Sequence, residues 1–245
     1  IHLRTREPGR REGNNKLRYW SQALGLGATT QVDLPEGAEA SGVLPDRDWK
    51  RSRTFAIEAP NTWRPGDTIN MSVGQGFLTA TPLQMARAYA AIIDDEHRLR
   101  TPTIGDKIRS ADDPNNILLD ITKGLPESTL PTINPGVLEA VTGGLYDVVN
   151  NSQGTAQSVF SKLPNLVAGK TGTAENSRNG KARKDHSWFV GYGPVGGDEA
   201  VGRADLLHGT DGVLDLDRLL AAPAWSPATD APPKDRALWA DRPAD

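Results

Sequence analysis

The sequence predicts an α/β fold of the α+β type, and two kinds of pattern carry the prediction. Residues 166–175 and 186–192 are rich in small or β-forming residues, and a polar connection that contains glycine joins them, which is typical of an antiparallel hairpin. Two other segments, which begin near Thr81 and Asn134, repeat apolar residues at helical spacing. The chain therefore combines an antiparallel sheet with amphipathic helices.

The first third of the chain has few regular elements. Residues 1–14 are basic and polar without periodicity, which predicts a disordered arm. Residues 17–24 place three apolar side chains on one helical face, and the glycines that follow end the predicted helix. Residues 29–50 are rich in Gly, Pro and Asp, and we predict irregular structure there with a brief strand at 31–34.

A well-marked helix begins at Thr81. Thr81 is a good N-cap, Pro82 suits the first helical position, and Gln84 completes a capping box. Before this helix, Gly74 and Gly76 predict a tight turn. They do not form a dinucleotide-binding fingerprint, since Thr79 stands where a third glycine is required.

The middle of the chain, residues 94–133, is charged and interrupted by prolines. It predicts short strands at 103–108 and 116–121, and an exposed His97. The adjacent acids Asp112 and Asp113 precede a proline, so we interpret them as a solvated turn and not as a catalytic carboxylate pair.

A second helix is predicted to open at Asn134 and Pro135. Its apolar face is formed by four side chains at helical spacing. These are Leu138, Val141, Leu145 and Val148.

Composition excludes several classes of protein. The net charge of −3 argues against a nucleic-acid partner, and cysteine is absent, which excludes disulfides and thiolate chemistry. No apolar run of about twenty residues and no targeting segment is visible. We see no cofactor motif, and His186 has no metal-ligand spacing to another His, Asp or Glu.

The first hairpin strand carries the candidate chemistry. The ammonium group of Lys170 and the hydroxyls of Thr171 and Thr173 can bind a carboxylate, and Gly172 lets another backbone approach closely. If this strand is a sheet edge, its free N–H and C=O groups can pair with an extended peptide.

Two other interpretations of this strand stay open at this point. Gly169-Lys170-Thr171 resembles the end of a phosphate-binding P-loop, but Pro164 stands where the first glycine belongs. The other alternative is an ordinary buried strand whose lysine extends to solvent.

The basic connection 176–184 is either a solvated loop or a rim that attracts anionic glycan or peptide.

Motifs occur in a definite order along much of the chain: Gly25-Leu26-Gly27, Asp33-Leu34-Pro35, Trp63-Arg64-Pro65-Gly66-Asp67-Thr68, Gly74-Gln75-Gly76 and Thr81-Pro82-Leu83-Gln84. Residues 154–156, the Lys170-Thr171-Gly172-Thr173 run and residues 185–192 follow them. Together these motifs resemble the penicillin-binding, serine-transpeptidase family, in particular its class B, elongation-type members, the penicillin-binding protein 2 group. In that family the Lys-Thr-Gly run is the third motif.

The resemblance implies an antiparallel sheet flanked by helices and a D,D-transpeptidase that cross-links peptidoglycan through a serine acyl-enzyme. It implies that Lys170, Thr171 and Thr173 bind the substrate carboxylate, that Gly172 lies on the strand that pairs with the peptide, and that the Thr173 N–H is half of the oxyanion hole. The implied ligands are the peptidoglycan stem peptide and β-lactams, and partners of the cell-elongation complex are compatible with it. The implied location is the bacterial envelope, at the outer face of the cytoplasmic membrane, with a membrane anchor in full-length relatives that this chain does not show.

The chain departs from the family at both ends. No Ser-x-x-Lys occurs among the 245 residues, and the only Ser-x-Asn, at 177–179, follows Lys170 and is interpreted as a chance match. We therefore expect a truncated or frame-shifted copy: an arm at 1–14, a partial transpeptidase domain at 15–195, and an atypical, largely disordered tail at 196–245. The fold would be incomplete at both ends.

Whether the chain is an enzyme stays open in the sequence, because the family is catalytic but the nucleophile motif is missing. We expect the chain alone neither to cross-link peptides nor to be acylated by penicillin. The alternatives are a non-catalytic module that binds cell-wall peptides, or a nonfunctional remnant that exposes apolar surface and sheet edges.

Overall fold

A computed structural model describes residues 15–53, 61–162, 166–175, 177–178, 181–182, 184–193, 195 and 203–209. The helices that it contains are α1 Asn15–Ala23, α2 Arg47–Arg51, α3 Pro65–Ser72, α4 Pro82–Ile93, α5 Pro135–Asn150 and α6 Gln157–Phe160. The strands are β1 Arg98–Arg100, β2 Lys107–Arg109, β3 Ile117–Asp120, β4 Glu127–Thr129, β5 Ala168–Ala174, β6 Ser177–Arg178, β7 Lys181–Ala182, β8 His186–Gly193 and β9 Arg203–Gly209. The predicted arm at 1–14 lies outside the described residues.

The predicted hairpin is confirmed as part of a three-stranded antiparallel sheet with the order β5-β8-β9. Its register pairs Ala168 with Tyr192 at one end of β5 and Ala174 with His186 at the other. β9 continues the sheet on the far side of β8. Three further two-stranded antiparallel pairs, β1-β4, β2-β3 and β6-β7, complete the strand pairing of the described residues.

Helices cover both faces of this sheet. Side chains alternate between the two faces of a strand, so Tyr192 and Phe189 point in opposite directions. On one face, Tyr192 and Ala168 pack with Leu145 of α5. On the other face, the rings of Phe189 and Phe160 of α6 lie 4.7 Å apart, and both side chains are fully buried. Helices α5 and α4 therefore pack on the sheet, and Phe160 of α6 packs on the face that carries Phe189.

The two predicted helices are confirmed at their N-termini. The Thr81 side chain accepts a hydrogen bond from the backbone N–H of Gln84, and the Gln84 side chain accepts from the N–H of Thr81, which is the predicted capping box. The side chain of Asn134 caps α5 by accepting from the N–H of Gly136. The helix predicted at 17–24 is also present, as α1.

The apolar face of α5 differs from the predicted one. Leu145 and Val149 are its buried residues, whereas Val141 is exposed and Val148 only half-buried. The reason is tertiary: α5 packs on β5, and Leu145 contacts Ala168 and Tyr192 of the sheet, so packing between elements decides which side chains of α5 are buried.

Three local predictions were wrong. Residues 31–34 form no strand, since Gln31 has a φ of 64°, and the backbone N–H groups of Thr30 and Gln31 donate to the Glu39 carboxylate instead of to a neighbouring strand. The strand predicted at 103–108 begins only at Lys107. His97 is half-buried, and its Nδ1 lies 3.3 Å from the carbonyl oxygen of Ala91.

Strand β9 was not predicted. The partial domain was expected to end at residue 195 and the tail at 196–245 to be largely disordered, yet Arg203–Gly209 pairs with β8 along seven residues. The other residues of that tail, 196–202 and 210–245, lie outside the described residues.

Candidate functional site

The candidate residues lie on β5, at one edge of the sheet. In the described part of the chain, only β8 pairs with β5. Lys170, Gly172 and Thr173 are exposed, and Thr171 is half-buried. The condition for pairing with a peptide, an accessible edge strand, is thus met among the described residues, and the interpretation of β5 as an ordinary buried strand does not fit these positions.

The backbone carbonyls along the free edge accept hydrogen bonds from side chains. Nδ2 of Asn150 donates to the carbonyl of Val167 at 2.9 Å, Nζ of Lys170 to that of Thr171 at 2.7 Å, and Nε2 of Gln75 to that of Thr173 at 2.8 Å. In an antiparallel pair, the N–H and C=O of one residue face the same side, and successive residues alternate. The three accepting carbonyls belong to the odd-numbered residues Val167, Thr171 and Thr173, which therefore face away from β8. The N–H groups of Thr171 and Thr173 face the same way as their carbonyls.

The two threonine hydroxyls belong to the same face of β5, since residues two apart in a strand point the same way. The hydroxyl of Thr171 lies 2.7 Å from the hydroxyl of Thr155, in the turn that follows α5. This turn approaches α5 so closely that a Cβ on Gly154 would collide with the carbonyls of Asp147 and Val148. The glycine therefore allows Thr155 to lie against β5.

The N-terminal end of β5 is closely packed, because Gly169 and Gly191 both lie against the buried ring of Phe189. A Cβ on Gly169 would collide with the ring of Phe189 and the carbonyl of Val190, and a Cβ on Gly191 would also meet that ring. Gly172, in contrast, has only the Cβ of Trp188, within the described part of the chain, at 3.5 Å from the place of its missing side chain. The strand is therefore tightly packed at Gly169 and open at Gly172.

Gln75 reaches the site from a turn between α3 and α4. Its flanking glycines have φ values of 78° (Gly74) and 74° (Gly76), which is the left-handed region that glycine adopts without strain. This confirms the predicted tight turn. The backbone N–H of Gln75 donates to the carbonyl of Asn70 at the end of α3.

Sequence reasoning missed Gln75 and Thr155 as members of the site. Both lie within motifs that carried the resemblance, but Gln75 is 98 residues from Thr173. The available signal was the Gly-Gln-Gly run itself, since glycines on both sides of a residue favour a tight turn.

Other features do not extend the site. Among the described residues, no group of three or more His, Cys, Asp or Glu side chains is placed to hold a metal ion. No described helix has the length and apolar character needed to cross a membrane. A cavity of about 470 Å³ between the end of α4 and the start of α5 is lined by residues such as Ile93, His97 and Leu138, none of which belongs to the candidate site.

The chain that carries this exposed β5 edge matches the model of a known protein family. Residues 7–211 match the model of the penicillin-binding protein transpeptidase domain. The chain belongs to this family. The match extends beyond residues 15–195, the range over which the sequence motifs suggested it, and includes β9.

Curated relatives place the chain within the elongation-type penicillin-binding proteins. It is 32% identical over 200 residues to the peptidoglycan D,D-transpeptidase MrdA of Haemophilus influenzae, covering 77% of this chain and 29% of that protein. It is 34% identical over 163 residues to MrdA of Escherichia coli, covering 66% of this chain and 24% of that protein. The chain thus spans less than a third of the length of these relatives.

Solved penicillin-binding proteins share the fold. The Pseudomonas aeruginosa PBP2 structure in complex with WCK 5153 is 28% identical, with a TM-score of 0.58, covering 81% of this chain and 39% of that one. PBP2 in a complex with MreC from Helicobacter pylori is 27% identical, with a TM-score of 0.55, covering 79% of this chain and 31% of that one. The predicted transpeptidase fold is therefore confirmed.

Proposed function

We propose that this chain carries the substrate-recognition strand of a peptidoglycan D,D-transpeptidase. The observation that supports the proposal best is the free edge of β5, where Lys170, Thr171, Gly172 and Thr173 lie together. A strand edge with an ammonium group and two hydroxyls suits an extended peptide that ends in a carboxylate. The D-Ala-D-Ala end of a stem peptide has this chemistry.

Each residue has a proposed role in binding. Lys170 turns from its contact with the Thr171 carbonyl and pairs with the substrate carboxylate, since a charge-assisted hydrogen bond is stronger than a neutral one. The hydroxyls of Thr171 and Thr173 donate to the same carboxylate. Gly172 leaves room for the peptide backbone to pair with β5, because among the described residues nothing but the Trp188 Cβ lies near the place of its missing side chain.

Thr173 has a further proposed role in stabilising the transition state. Acyl transfer develops negative charge on the carbonyl oxygen that is attacked, and a fixed N–H donor at that oxygen is worth about 3–4 kcal/mol. The Thr173 N–H faces the free edge and is available as one such donor. In the family's reaction, a serine attacks the D-Ala-D-Ala bond, D-alanine leaves, and an amine of a second peptide takes the acyl group.

The nucleophile is not part of these 245 residues, because they contain no Ser-x-x-Lys. We therefore propose that the 245-residue chain binds substrate but forms no acyl-enzyme. Intact-mass analysis after incubation with penicillin is expected to show the unmodified mass of the chain. A covalent adduct with the mass of penicillin would contradict this.

The recognition role is tested by titrating a D-Ala-D-Ala-terminated peptide into the chain and following binding by NMR or calorimetry. We expect saturable binding that is lost in Lys170→Ala and with a peptide whose terminal carboxylate is amidated. Lys162→Ala is the matched control, because Lys162 is an exposed lysine outside the site. Equal binding by the Lys170→Ala and Lys162→Ala variants would reject the assigned role of Lys170.

A non-catalytic binding module is the second candidate, and the lack of Ser-x-x-Lys beside an intact recognition strand favours it. A chimera in which the E. coli relative supplies the serine motif separates the two candidates. Acylation of the chimera by penicillin supports the catalytic role. Peptide binding by the chain, without acylation of a folded chimera, supports the binding module.

Partners and location follow from the relatives only as proposals. We propose that the chain acts in the bacterial cell envelope, where peptidoglycan is assembled. β-Lactams are proposed ligands because their carboxylate meets the same side chains. A partner of the MreC type, as in the H. pylori complex, is proposed, and co-purification with the host's own MreC tests it.

A further inference from the structure

The contact between Gln75 and Thr173 suggests how ligands gain access to the recognition edge. Nε2 of Gln75 lies 2.8 Å from the carbonyl oxygen of Thr173. A hydrogen bond between adjacent strands has the same N···O distance, about 2.9 Å. The side-chain amide of Gln75 therefore stands where the backbone N–H of an added strand would stand.

The turn that carries Gln75 is held on both sides. Before it, the backbone N–H of Gln75 is bound by the carbonyl of Asn70 at 2.8 Å. A Cβ on Gly76 would lie only 3.2 Å from the Cβ of Asn70, so the turn is closely packed. The half-buried Gln75 side chain is thus presented from a fixed backbone.

After Gln75, the chain is anchored by Phe77. The Phe77 ring packs against Trp49, with ring centroids 5.4 Å apart, and Nζ of Lys50 lies 5.2 Å from the centre of the same ring. Lys50 is buried and forms a 2.7 Å ion pair with Asp67 of α3. Because this anchor fixes the turn, displacement of Gln75 requires only a rotation of its own side chain.

We propose that Gln75 is a specificity-determining cap on the recognition edge: it occupies the Thr173 carbonyl until a ligand with a backbone N–H replaces it. This inference rests on the proposed peptide-binding role of β5. A ligand that donates to the Thr173 carbonyl exchanges one hydrogen bond for another. A ligand without that donor displaces Gln75 and leaves the carbonyl unpaired, so the cap discriminates against it.

If Gln75 caps the Thr173 carbonyl, removal of its donor increases the affinity for peptide. An intramolecular hydrogen bond is more stable than the one with water that replaces it, by an amount that corresponds to roughly a 2- to 10-fold change in affinity. Gln75→Met keeps the length of the side chain and removes the donor. We therefore expect Gln75→Met to bind a D-Ala-D-Ala-terminated peptide roughly 2- to 10-fold more tightly than the unmodified chain.

Two controls accompany the measurement. Gln153→Met makes the same substitution at an exposed glutamine outside the site, and we expect its peptide affinity to be unchanged. Propionate carries a carboxylate but no peptide backbone to lie along β5, so it leaves Gln75 on the Thr173 carbonyl, and we expect it to bind the Gln75→Met variant and the unmodified chain equally. A damaged site would weaken binding of both ligands, so a gain for the peptide alone identifies the cap.

The outcomes separate the cap from the function on which it rests. Tighter peptide binding by Gln75→Met supports the cap. Equal or weaker binding, where the unmodified chain binds the peptide and Lys170→Ala does not, overturns the cap and leaves the recognition role in place. Absence of peptide binding in both the unmodified chain and Gln75→Met overturns both proposals.

Discussion

The hydroxyl oxygens of Thr155 and Thr171 lie 2.7 Å apart and join the turn after α5 to the recognition strand. Either hydroxyl can be the donor, so each one restricts the rotation of the other. Since Thr171 is a proposed carboxylate ligand, this pair sets the orientation of one side of the site.

Removal of this hydrogen bond is expected to have a small but measurable effect. Thr155→Val keeps the shape of the side chain and removes its hydroxyl, so we expect the free energy of unfolding to fall by about 0.5–1 kcal/mol. Urea denaturation measures the change. Thr155→Ser, which keeps the hydroxyl, is expected to lose less, and a larger loss in Thr155→Ser than in Thr155→Val would show that the methyl group and not the hydrogen bond matters.

The glycines of β5 differ in what they tolerate. We expect Gly169→Ala to lower the free energy of unfolding by about 1–3 kcal/mol, because its Cβ collides with the Phe189 ring and the backbone of β8. Gly172→Ala is the matched control, since its Cβ meets only the Trp188 Cβ at 3.5 Å. We expect it to keep its stability within about 0.5 kcal/mol and to bind peptide more weakly. Equal stability of the two variants would contradict the packing described for Gly169.

The Lys50–Asp67 ion pair is buried, with Lys50 only 4% exposed. Lys50→Met leaves the Asp67 carboxylate without its cation, and we expect a loss of about 3 kcal/mol in the free energy of unfolding. Arg51→Met provides the control one residue away, because the Arg51–Asp48 pair is exposed. We expect that variant to change by less than about 0.5 kcal/mol.

A double variant tests whether Lys50 acts through Asp67. The combined Lys50→Met and Asp67→Asn substitutions are expected to cost less than the sum of the two single losses, since the second removes a charge that the first leaves unpaired. Additive losses, measured by urea denaturation, would show that the pair does not couple.

Asp33 gives a pH-dependent prediction. The backbone N–H of Ile104, which donates to this carboxylate at 2.6 Å, is the main cause that holds the pKa of Asp33 below its ordinary value of 3.8. The stabilisation by the charged form is therefore fully present above about pH 3.8 and is lost as the pH falls through the lower pKa of the folded state.

The test compares the melting temperatures of the unmodified chain and Asp33→Asn at pH 7 and pH 3. We expect the unmodified chain to be more stable at pH 7 and the difference to shrink at pH 3. Glu36→Gln removes an exposed acid from the same loop and is the control for charge removal as such. A difference that stays constant between the two pH values would contradict the role of the Asp33 charge.

Local sequence signals predicted the elements that local chemistry decides. The capping box at Thr81 and Gln84 is an example, since its two hydrogen bonds join residues three apart. The sequence did not reveal the rest of the Gln84 contacts. Its Nε2 also donates to the carbonyls of Ala28 and Ser41, which are 56 and 43 residues away.

The sequence by itself determined the hairpin, the two capped helices, the family and the four candidate residues of β5, because each depends on residues that are close in the chain. Only the tertiary structure decided which face of α5 is buried, that β9 extends the sheet, and that Gln75 and Thr155 reach the recognition strand. These features depend on how separate elements pack. Packing brings together side chains that no local pattern relates, such as Gln75 and Thr173, which lie 98 residues apart.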